Sequence, residues 1–558
     1  MASATADREL SPIIINANRE CVLKAYDAAK ADNHRRFIRG DVKATSEYIY
    51  QNQIIDANAI VDEFYKNNRR IISIQKKTKV GADGLMIEIA KLMTTHIDDN
   101  FITNIDNLRF LTGMSNISWE RDMIEKAPSC FKDKIFHHGK LGKSELENMK
   151  NSLIFIDEID TGTKELQKLH TTLKEANILD VEHMLSNNNR FVIISATMIL
   201  ELRELYRWGD KHCLYKMTIP TSYIGHKEFL DKGIILPYYP VDSKDSAEKW
   251  IQEDIIDNYG TDYRVHIIRT CEKNIGFIQD ACIRKREFIV FKNHMTDDKL
   301  TDEELKTIFG KERTKHVVLA IKGYYRRANL IPNIWKLVIG AMMELYTDKV
   351  DNNVQIQGLP GRMSGYWKEH IERGHKTGPY RTSIEAIEQY EKIYDDPFAL
   401  SDYQTASMKI KGAKVSGKPK SMLAPHNIRG LQPIPYPSTG IPHRSPQSKP
   451  IIIISLRPSD NQFIKDNIRN AADIFKYLLS KFPEQLETYR TYKPRCWHMD
   501  TPDKEEKWGL EHMRQPNAYS ASTNIYADEK TSNILMMYLW NGHLILSPWN
   551  GEQQNHEE

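Results

Sequence analysis

Two adjacent acids follow an apolar run in the first third of the chain. Leu153 to Ile156 are all large and apolar, and Asp157 and Glu158 come directly after them. An apolar strand that ends in two acids places both carboxylates at the carboxyl edge of a sheet, where α/β proteins bind ligands. In nucleotide hydrolysis the first acid of such a pair holds Mg²⁺, directly or through water, and the second polarises the attacking water. The alternative is a strand that ends in an ordinary solvated acidic turn.

Two further segments could act together with these acids. The apolar run Phe191 to Ile194 ends in Ser195, Ala196 and Thr197, and Ser195 lies 37 residues after Glu158. Later, the segment 357–366 reads QGLPGRMSGY and contains Arg362, whose planar guanidinium suits the charge spread over phosphate oxygens. The alternative for this arginine is a surface position in a glycine-rich turn.

In order and spacing, these segments resemble the motifs of superfamily 2 helicases, most closely the helicase-like proteins of large DNA viruses and phages. The resemblance covers about residues 45 to 400. It implies ATP and Mg²⁺ as ligands, with Asp157 holding the metal through water and Glu158 activating water. It also implies that Ser195, Ala196 and Thr197 couple hydrolysis to movement. Arg362 matches the arginine that reaches the γ-phosphate across a domain cleft.

The segment in the position of the phosphate loop departs from the family pattern. Residues 76–84 read KKTKVGADG, so Ala82 stands where the phosphate-gripping lysine is expected and Asp83 where a hydroxyl is expected. Backbone amides around Gly81 and the start of the next helix could still hold phosphate. An acid beside a triphosphate is repulsive unless a cation lies between them. One of the nearby lysines could replace the missing charge, or the site could be weak or inactive.

The resemblance assigns further residues to ATP. The expected phosphate-loop contacts are listed here: Thr78, Lys79, Val80, Gly81, Ala82 and Asp83. Gln51 or Gln53 matches the glutamine that reads the adenine edge, and the sequence does not choose between them. The alternative for this segment is simply the start of a helix. Gln357 belongs to the arginine motif, although its gap to Gly361 is one residue longer than usual.

Other segments stand where such motors grip the nucleic-acid backbone with hydroxyls, amides and basic side chains. The candidate residues are Thr112, Gly113, His138, Lys322, Arg326 and Arg327. The alternative is that these are ordinary loop residues. The resemblance favours DNA over RNA as the partner, and viral replication, transcription or virion proteins are further candidate partners.

Short apolar strands alternating with helical patterns must position these residues. The predicted strands are 70–75, 108–112, 153–156, 191–194, 265–268, 317–321 and 354–356, and a helix is predicted over 85–93. This alternation indicates parallel sheets with crossover helices. We therefore predict an α/β fold with two tandem RecA-like domains, 45–222 and 223–402, after an N-terminal extension, 1–44.

A basic arm, residues 403–450, is predicted to follow the second domain. It contains no Asp or Glu, eight of the 23 prolines and a charge of +8, so the rest of the chain carries +3 minus 8, or −5. Proline resists packing, which indicates either a solvated linker or an arm that contacts phosphates. The five lysines at its start are Lys409, Lys411, Lys414, Lys418 and Lys420.

Residues 451–558 are predicted to form a small α+β domain. Ile451 to Leu456 indicates a strand, 463–482 a helix, and the last apolar run a hairpin that turns at Asn541 and Gly542. A nuclease in this region is the weakest hypothesis, because it has no paired acid-and-lysine signature.

Composition excludes several other classes of protein. The chain has 558 residues, of which 40% are hydrophobic and 27% charged, which is ordinary for a globular protein and unlike a disordered or coiled-coil chain. No apolar run approaches the roughly 20 residues that span a bilayer. The six cysteines include no pair at a two-residue spacing, which favours a reduced, intracellular protein that is not secreted. The resemblance to viral helicase-like proteins implies a host cytoplasm or a virion as the setting.

Two hypotheses for function follow. The first is an ATP-dependent nucleic-acid helicase or translocase of superfamily 2, which binds ATP between the two domains. The second is a catalytically weak or inactive helicase-like protein that binds nucleic acid or acts as a scaffold, and Ala82 and Asp83 motivate it.

Overall fold

Two parallel sheets make up most of the part of the chain that can be described. The computed structural model describes residues 12–395, except for 97–102, 115–116, 138, 162–167, 199–200, 203–204, 296–297, 326–330 and 349. Beyond residue 395 it describes 452–455, 463, 476–477, 480–481, 534–540 and 543–548. The basic arm and most of the predicted helix over 463–482 lie outside these residues.

The first sheet has six parallel strands in the order β3-β2-β4-β5-β1-β6. Their bounds are β1 Ile71–Gln75, β2 Leu108–Thr112, β3 Ile135–Phe136, β4 Leu153–Asp157, β5 Arg190–Ser195 and β6 His212–Lys216. The strand β1 is buried along its whole length. Ile72 and Ile74 pack in the apolar cluster on one face of the sheet, and Ile71 packs in the cluster on the other. Burial on both faces explains why these strands are continuously apolar rather than alternating.

Helices cover both faces of the first sheet and precede it. Their bounds are α1 Pro12–Ile38, α2 Gln51–Tyr65, α3 Ala82–Thr95, α4 Ile117–Lys126, α5 Lys168–Glu175 and α6 Val181–Ser186. Short 3-10 turns occur at Ile105–Asn107, Ser129–Lys134, Lys143–Glu145, Ile159–Thr161 and Tyr206–Lys211. Leu85, Ile89 and Met93 are buried at helical spacing along α3, so this helix packs on the sheet and its first turn lies beside the end of β1.

The second sheet also has six parallel strands, in the order β7-β12-β11-β8-β10-β9. Their bounds are β7 Ile235–Pro237, β8 Val265–Arg269, β9 Ile289–His294, β10 His316–Ile321, β11 Ile339–Met343 and β12 Tyr380–Thr382. Its helices are α7 His226–Asp231, α8 Lys244–Lys249 with a π-helical continuation Trp250–Asp257, α9 Ile275–Arg284, α10 Asp302–Gly310, α11 Asn333–Lys336, α12 Asn352–Ile356, α13 Leu359–Met363, α14 Lys368–Glu372 and α15 Ile384–Asp395. The two sheets confirm the predicted fold class of two tandem RecA-like α/β domains.

One predicted strand is wrong. Val354 to Ile356 lies in helix α12, because the Asp351 side chain accepts a hydrogen bond from the Val354 amide at 3.2 Å and caps the helix. The strand missed nearby is β11, whose Gly340 weakens the β signal. That glycine is required for packing, because a β-carbon there would lie 2.6 Å from Cε1 of His266.

The C-terminal strands form a separate three-stranded antiparallel sheet in the order β13-β14-β15. Their bounds are β13 Ile452–Ser455, β14 Ile534–Trp540 and β15 His543–Pro548. The pairing of Trp540 with His543 confirms the hairpin predicted at the intervening Asn-Gly pair. No helix within the described ranges is both long enough and apolar enough to cross a membrane.

Candidate functional site

Four strand ends meet at the carboxyl edge of the first sheet. In the register of the sheet, Thr112 pairs with Asp157, Asp157 with Ile194, and Ser195 with Gln75. The acids, the Ser-Ala-Thr segment and the start of the phosphate loop are therefore neighbours at one edge. The pairing of Gln75 with Ser195 brings together residues 120 positions apart in the chain.

The backbone of the acid pair is fixed by its neighbours. The Thr112 hydroxyl and the Gly113 amide both donate to the Asp157 carbonyl oxygen, at 3.0 and 3.2 Å. The next residue, Glu158, has φ 51°, and its amide donates to the Ile194 carbonyl at 2.9 Å. A left-handed conformation at a residue other than glycine costs on the order of 1–3 kcal/mol. These hydrogen bonds hold Glu158 in the left-handed conformation.

Asp157 is a buried carboxylate with one satisfied oxygen. Trp119 Nε1 donates to Asp157 Oδ2 at 2.9 Å, whereas Oδ1 accepts no hydrogen bond from the residues described and has Lys76 Nζ at 3.9 Å. Burial raises the pKa of Asp157 to about 7. Lys76 acts to lower this pKa, and Glu158 acts to raise it further. A buried oxygen without a donor is a place where a cation would be stabilised.

The three lysines of the phosphate loop, residues 76–81, have different surroundings. Lys76 Nζ donates to Glu158 Oε1 at 3.0 Å. Lys77 is ion-paired with Glu391 on α15, and its ammonium lies 3.8 Å from the ring centre of Tyr394. Lys79 has φ 60°, and its pKa is well below the usual range because of burial, with Arg362 and Lys76 as the next causes.

The two departures from the family pattern have separate structural roles. Ala82 begins α3 and is buried in the apolar cluster under it. Asp83 is ion-paired with Lys126 at the end of α4, at 2.6 Å. Burial acts to raise the pKa of Asp83, but Lys126 outweighs it and the pKa is lowered. Asp83 is therefore an ionised residue whose charge is balanced by Lys126.

Tyrosine hydroxyls and one glutamine bind the carbonyl groups of the phosphate loop. Tyr223 donates to the Thr78 carbonyl and Tyr366 to the Val80 carbonyl, both at 2.6 Å. The ring of Tyr366 also stacks on that of Tyr50, with 4.6 Å between ring centres. Because Tyr366 follows the arginine motif in the second domain, this loop is held from both sides of the cleft.

The structure distinguishes the two candidate glutamines. Gln53 is buried, donates from Nε2 to the Gly81 carbonyl at 2.8 Å, and accepts from the Tyr50 amide at 3.0 Å. A β-carbon on Gly84 would lie 2.4 Å from Gln53 Oε1, so the glycine leaves room for the Gln53 amide in its present position. Gln51 is the exposed first residue of α2. The glutamine that contacts the phosphate loop is therefore Gln53.

The Ser-Ala-Thr segment binds an acid that the sequence analysis did not assign. Asp160 accepts hydrogen bonds from the Ser195 and Thr197 hydroxyls, both at 2.9 Å. From the second domain, Asn353 Nδ2 donates to Asp160 Oδ2 at 3.3 Å and to the Thr197 carbonyl at 3.4 Å. The signal that could have identified Asp160 is its position three residues after Asp157, on the same turn. Ala196 lies buried between the two hydroxyl residues.

A second contact chain crosses the cleft at Glu158. Gln357 Nε2 donates to Glu158 Oε2 at 3.3 Å, and Arg362 Nη2 donates to Gln357 Oε1 at 2.7 Å. Arg362 is only 1% exposed and lies on α13. A β-carbon on Gly361 would lie 2.0 Å from the Ile356 carbonyl oxygen, so glycine is required beside the arginine. The alternative of a surface arginine does not describe this side chain.

Only some of the residues predicted to bind nucleic acid lie in the described part of the chain. Thr112 is buried against the acid turn, where it supports Asp157. Lys322 is partly exposed and ion-paired with Glu272. His138, Arg326 and Arg327 lie outside the described residues.

The carboxylates of the acid pair fit a magnesium site that substrate phosphates and water would complete. The described residues include no cluster of three or more His, Cys, Asp or Glu side chains that could hold a metal. Mg²⁺ is usually held by one or two carboxylates together with substrate phosphates and water. The unsatisfied Asp157 Oδ1 fits that second kind of site.

Comparisons with known proteins give structural likenesses only. No protein-family model matches the chain, and no curated protein matches it. Dbp5 from S. cerevisiae, bound to RNA and ADP BeF3, is 11% identical over 63% of this chain and 92% of that chain, with a TM-score of 0.35. A DEAD box protein from Methanococcus jannaschii is 13% identical over 61% and 90%, with a TM-score of 0.31. The DEAD-box helicase Mss116, bound to ssRNA and UDP-BeF, is 14% identical over 61% and 70%, with a TM-score of 0.27. At these values the likenesses carry no argument about the activity of this chain.

Proposed function

We propose that this chain is an ATP-dependent nucleic-acid helicase or translocase of the superfamily 2 type, with ATP bound between its two sheets. The observation that carries the proposal is the contact chain from Glu158 through Gln357 to Arg362. It joins the acids of one sheet to the arginine of the other at hydrogen-bonding distance. Such an arrangement depends on how the two domains close, which is how movement can be linked to nucleotide chemistry.

Each residue of the cleft has a chemical role in this proposal. Asp157 would hold Mg²⁺, which when bound would neutralise charge on the phosphates. Glu158 would orient the attacking water and accept its proton, and Arg362 would stabilise the charge on the transferred phosphoryl group. Asp160, bound to both Thr197 and Asn353, would transmit the state of the acid turn to the second domain.

The nature of the partner and the location are separate proposals that extend the sequence resemblance. We expect DNA rather than RNA as the nucleic acid and an intracellular setting. We also expect viral replication, transcription or virion proteins as further partners.

The test is ATP hydrolysis by the wild type and by Glu158→Gln, each with and without single-stranded DNA, duplex DNA and RNA. We expect nucleic acid to stimulate the wild type, and Glu158→Gln to lower turnover by about 100-fold or more, the usual effect of losing a general base. Glu147→Gln is the matched control, because Glu147 is exposed and its ion pair with Lys143 is a surface contact. Absence of stimulated turnover in the wild type would rule out the motor.

A second candidate is a helicase-like protein that binds nucleic acid or acts as a scaffold without turnover. It is favoured by Ala82, which supplies no charge, and by the Asp83–Lys126 ion pair, which neutralises the acid without a metal. This candidate predicts no nucleic-acid-stimulated hydrolysis together with retained nucleic-acid binding. If ATP binding in the micromolar range is detected and Arg362→Ala abolishes it, the scaffold candidate is disfavoured.

A further inference from the structure

The phosphate loop contains a buried lysine whose position differs from the one expected from the sequence. Lys76 is the first residue after β1, and its side chain is buried beside the acid pair. Its ammonium lies 3.0 Å from Glu158 Oε1 and 3.9 Å from Asp157 Oδ1. The first turn of α3, where the sequence pattern expects a lysine, instead begins with the buried Ala82.

We propose that Lys76 binds the terminal phosphates of the nucleotide, so that the cation of this site comes from the end of β1 rather than from the first turn of α3. This assignment rests on the proposed function and identifies a binding residue for it.

The hydrogen bonds of Lys76 leave it able to take a phosphate oxygen. An ammonium group has three N–H donors. Within the described part of the chain, its one side-chain hydrogen bond is to Glu158. The carboxylates of Glu158, at 3.0 Å, and Asp157, at 3.9 Å, stabilise its positive charge. A charged donor in a water-poor cleft is where a phosphate oxygen binds most strongly.

The other two lysines of the loop are less suited to this role. Lys77 is occupied by Glu391 and by the faces of Tyr390 and Tyr394. Lys79 lies within electrostatic reach of Arg362 and Lys76, and both lower its pKa after burial. A polyphosphate would relieve this repulsion, so Lys79 would support an anion that Lys76 binds.

The experiment compares Glu158→Gln with the double variant Glu158→Gln/Lys76→Met. Removing Lys76 alone would leave two buried acids without their cation, which is strongly destabilising. Removing one charge of each sign largely avoids that difficulty, because replacing both partners of a buried pair is often tolerated. Binding of fluorescent ATP, ADP and AMP analogues with Mg²⁺ is measured at equilibrium, and folding is checked by thermal melting. Lys66→Met in the Glu158→Gln background is the control, since Lys66 is exposed and its ion pair with Asp62 is a surface contact.

We expect Lys76→Met in this background to weaken ATP binding by about 10- to 100-fold, the effect of one hydrogen bond to a charged group. ADP should be affected less and AMP little, because Lys76 lies beside the acid pair where the terminal phosphates would be. Equal affinities with and without Lys76 would overturn the assignment while leaving the proposed function standing. An equal loss for ATP and AMP would also overturn it, because that pattern indicates general damage to the cleft. No ATP binding by the wild type or by Glu158→Gln would overturn the proposed function and this inference together.

Discussion

Replacing Asp160 by asparagine tests whether this residue joins the acid turn to the Ser-Ala-Thr segment. The change keeps the size of the side chain but removes its charge and one acceptor atom. Asp160 accepts from Ser195 and Thr197, each at 2.9 Å, and from Asn353 at 3.3 Å. An amide nitrogen cannot accept, so at least one of these buried donors loses its partner.

The size of the effect follows from these bonds. A hydrogen bond to a charged group contributes about 1.5–3 kcal/mol and a neutral one about 0.5–1.5 kcal/mol, while an unsatisfied buried donor costs about 1–3 kcal/mol. Relief from burying a charge offsets part of the loss. We therefore expect Asp160→Asn to lower the free energy of unfolding by about 2 kcal/mol. With a urea dependence of about 1–3 kcal/mol/M, the midpoint should fall by about 1 M.

The assay is urea unfolding followed by tryptophan fluorescence, with two comparison variants. Asp106→Asn should have almost no effect, because Asp106 is 81% exposed and its ion pair with Lys134 is a surface contact. Asn353→Ala removes the two described bonds that cross the cleft from this side chain. It should leave the midpoint nearly unchanged and weaken domain closure by about 1 kcal/mol, or about fivefold. An unchanged midpoint for Asp160→Asn would mean that Asp160 does not hold the acid turn and the Ser-Ala-Thr segment together.

Three further changes have defined outcomes. Trp119→Phe removes the donor to Asp157 Oδ2, so we expect urea unfolding to report a loss of about 1.5–3 kcal/mol, and no loss would mean that this bond contributes nothing. Burial lowers the pKa of His212 to about 3, and the nearby charge of Arg69 acts in the same direction. The pKa of histidine in the unfolded chain is about 6.5, so burying a neutral His212 does not lower the free energy of unfolding above pH 6.5. As the pH falls towards 3 the unfolded chain is protonated first, and the free energy of unfolding decreases by about 2 kcal/mol by pH 5. Unfolding curves of His212→Gln should depend less on pH between 7 and 5, and an unchanged dependence would contradict this. Replacing the five lysines at the start of the basic arm with glutamine should weaken nucleic-acid binding and flatten its salt dependence, whereas unchanged binding at low salt would mean that the arm is a spacer.

Six of the twelve strands in the two sheets were predicted from the sequence, because parallel strands buried on both faces are continuous apolar runs. Predicted and observed strands agree closely at β1, β2, β4 and β5, which carry the chemistry. The six missed strands include short edge strands such as β3 and β7, which have two and three residues. Two of the differences have clear local causes. Gly340 interrupts β11 because His266 packs against it, and Asp351 caps a helix where apolar residues alone indicated a strand.

The contacts across the cleft were not predictable, because they join residues from different domains whose partners leave no local pattern. Nothing near Asn353 or Tyr366 in sequence indicates that they reach Asp160 or the Val80 carbonyl. The same holds for the loop lysines. Three candidates were equivalent in the sequence, and only the folded chain places Lys76 beside Glu158 and Lys77 beside Glu391.

The proposed function requires that nucleotide binding and nucleic-acid binding are coupled through the cleft between the two sheets. The most direct measurement is the affinity of Glu158→Gln for DNA with and without saturating ATP and Mg²⁺, because this variant should bind ATP without consuming it. A coupling free energy of about 1–3 kcal/mol, the usual range, corresponds to a change of about 5- to 150-fold in DNA affinity. We predict a change of at least fivefold and an equal reciprocal change in ATP affinity when DNA is added. Identical DNA affinities with and without ATP, in a variant that demonstrably binds ATP, would contradict the account.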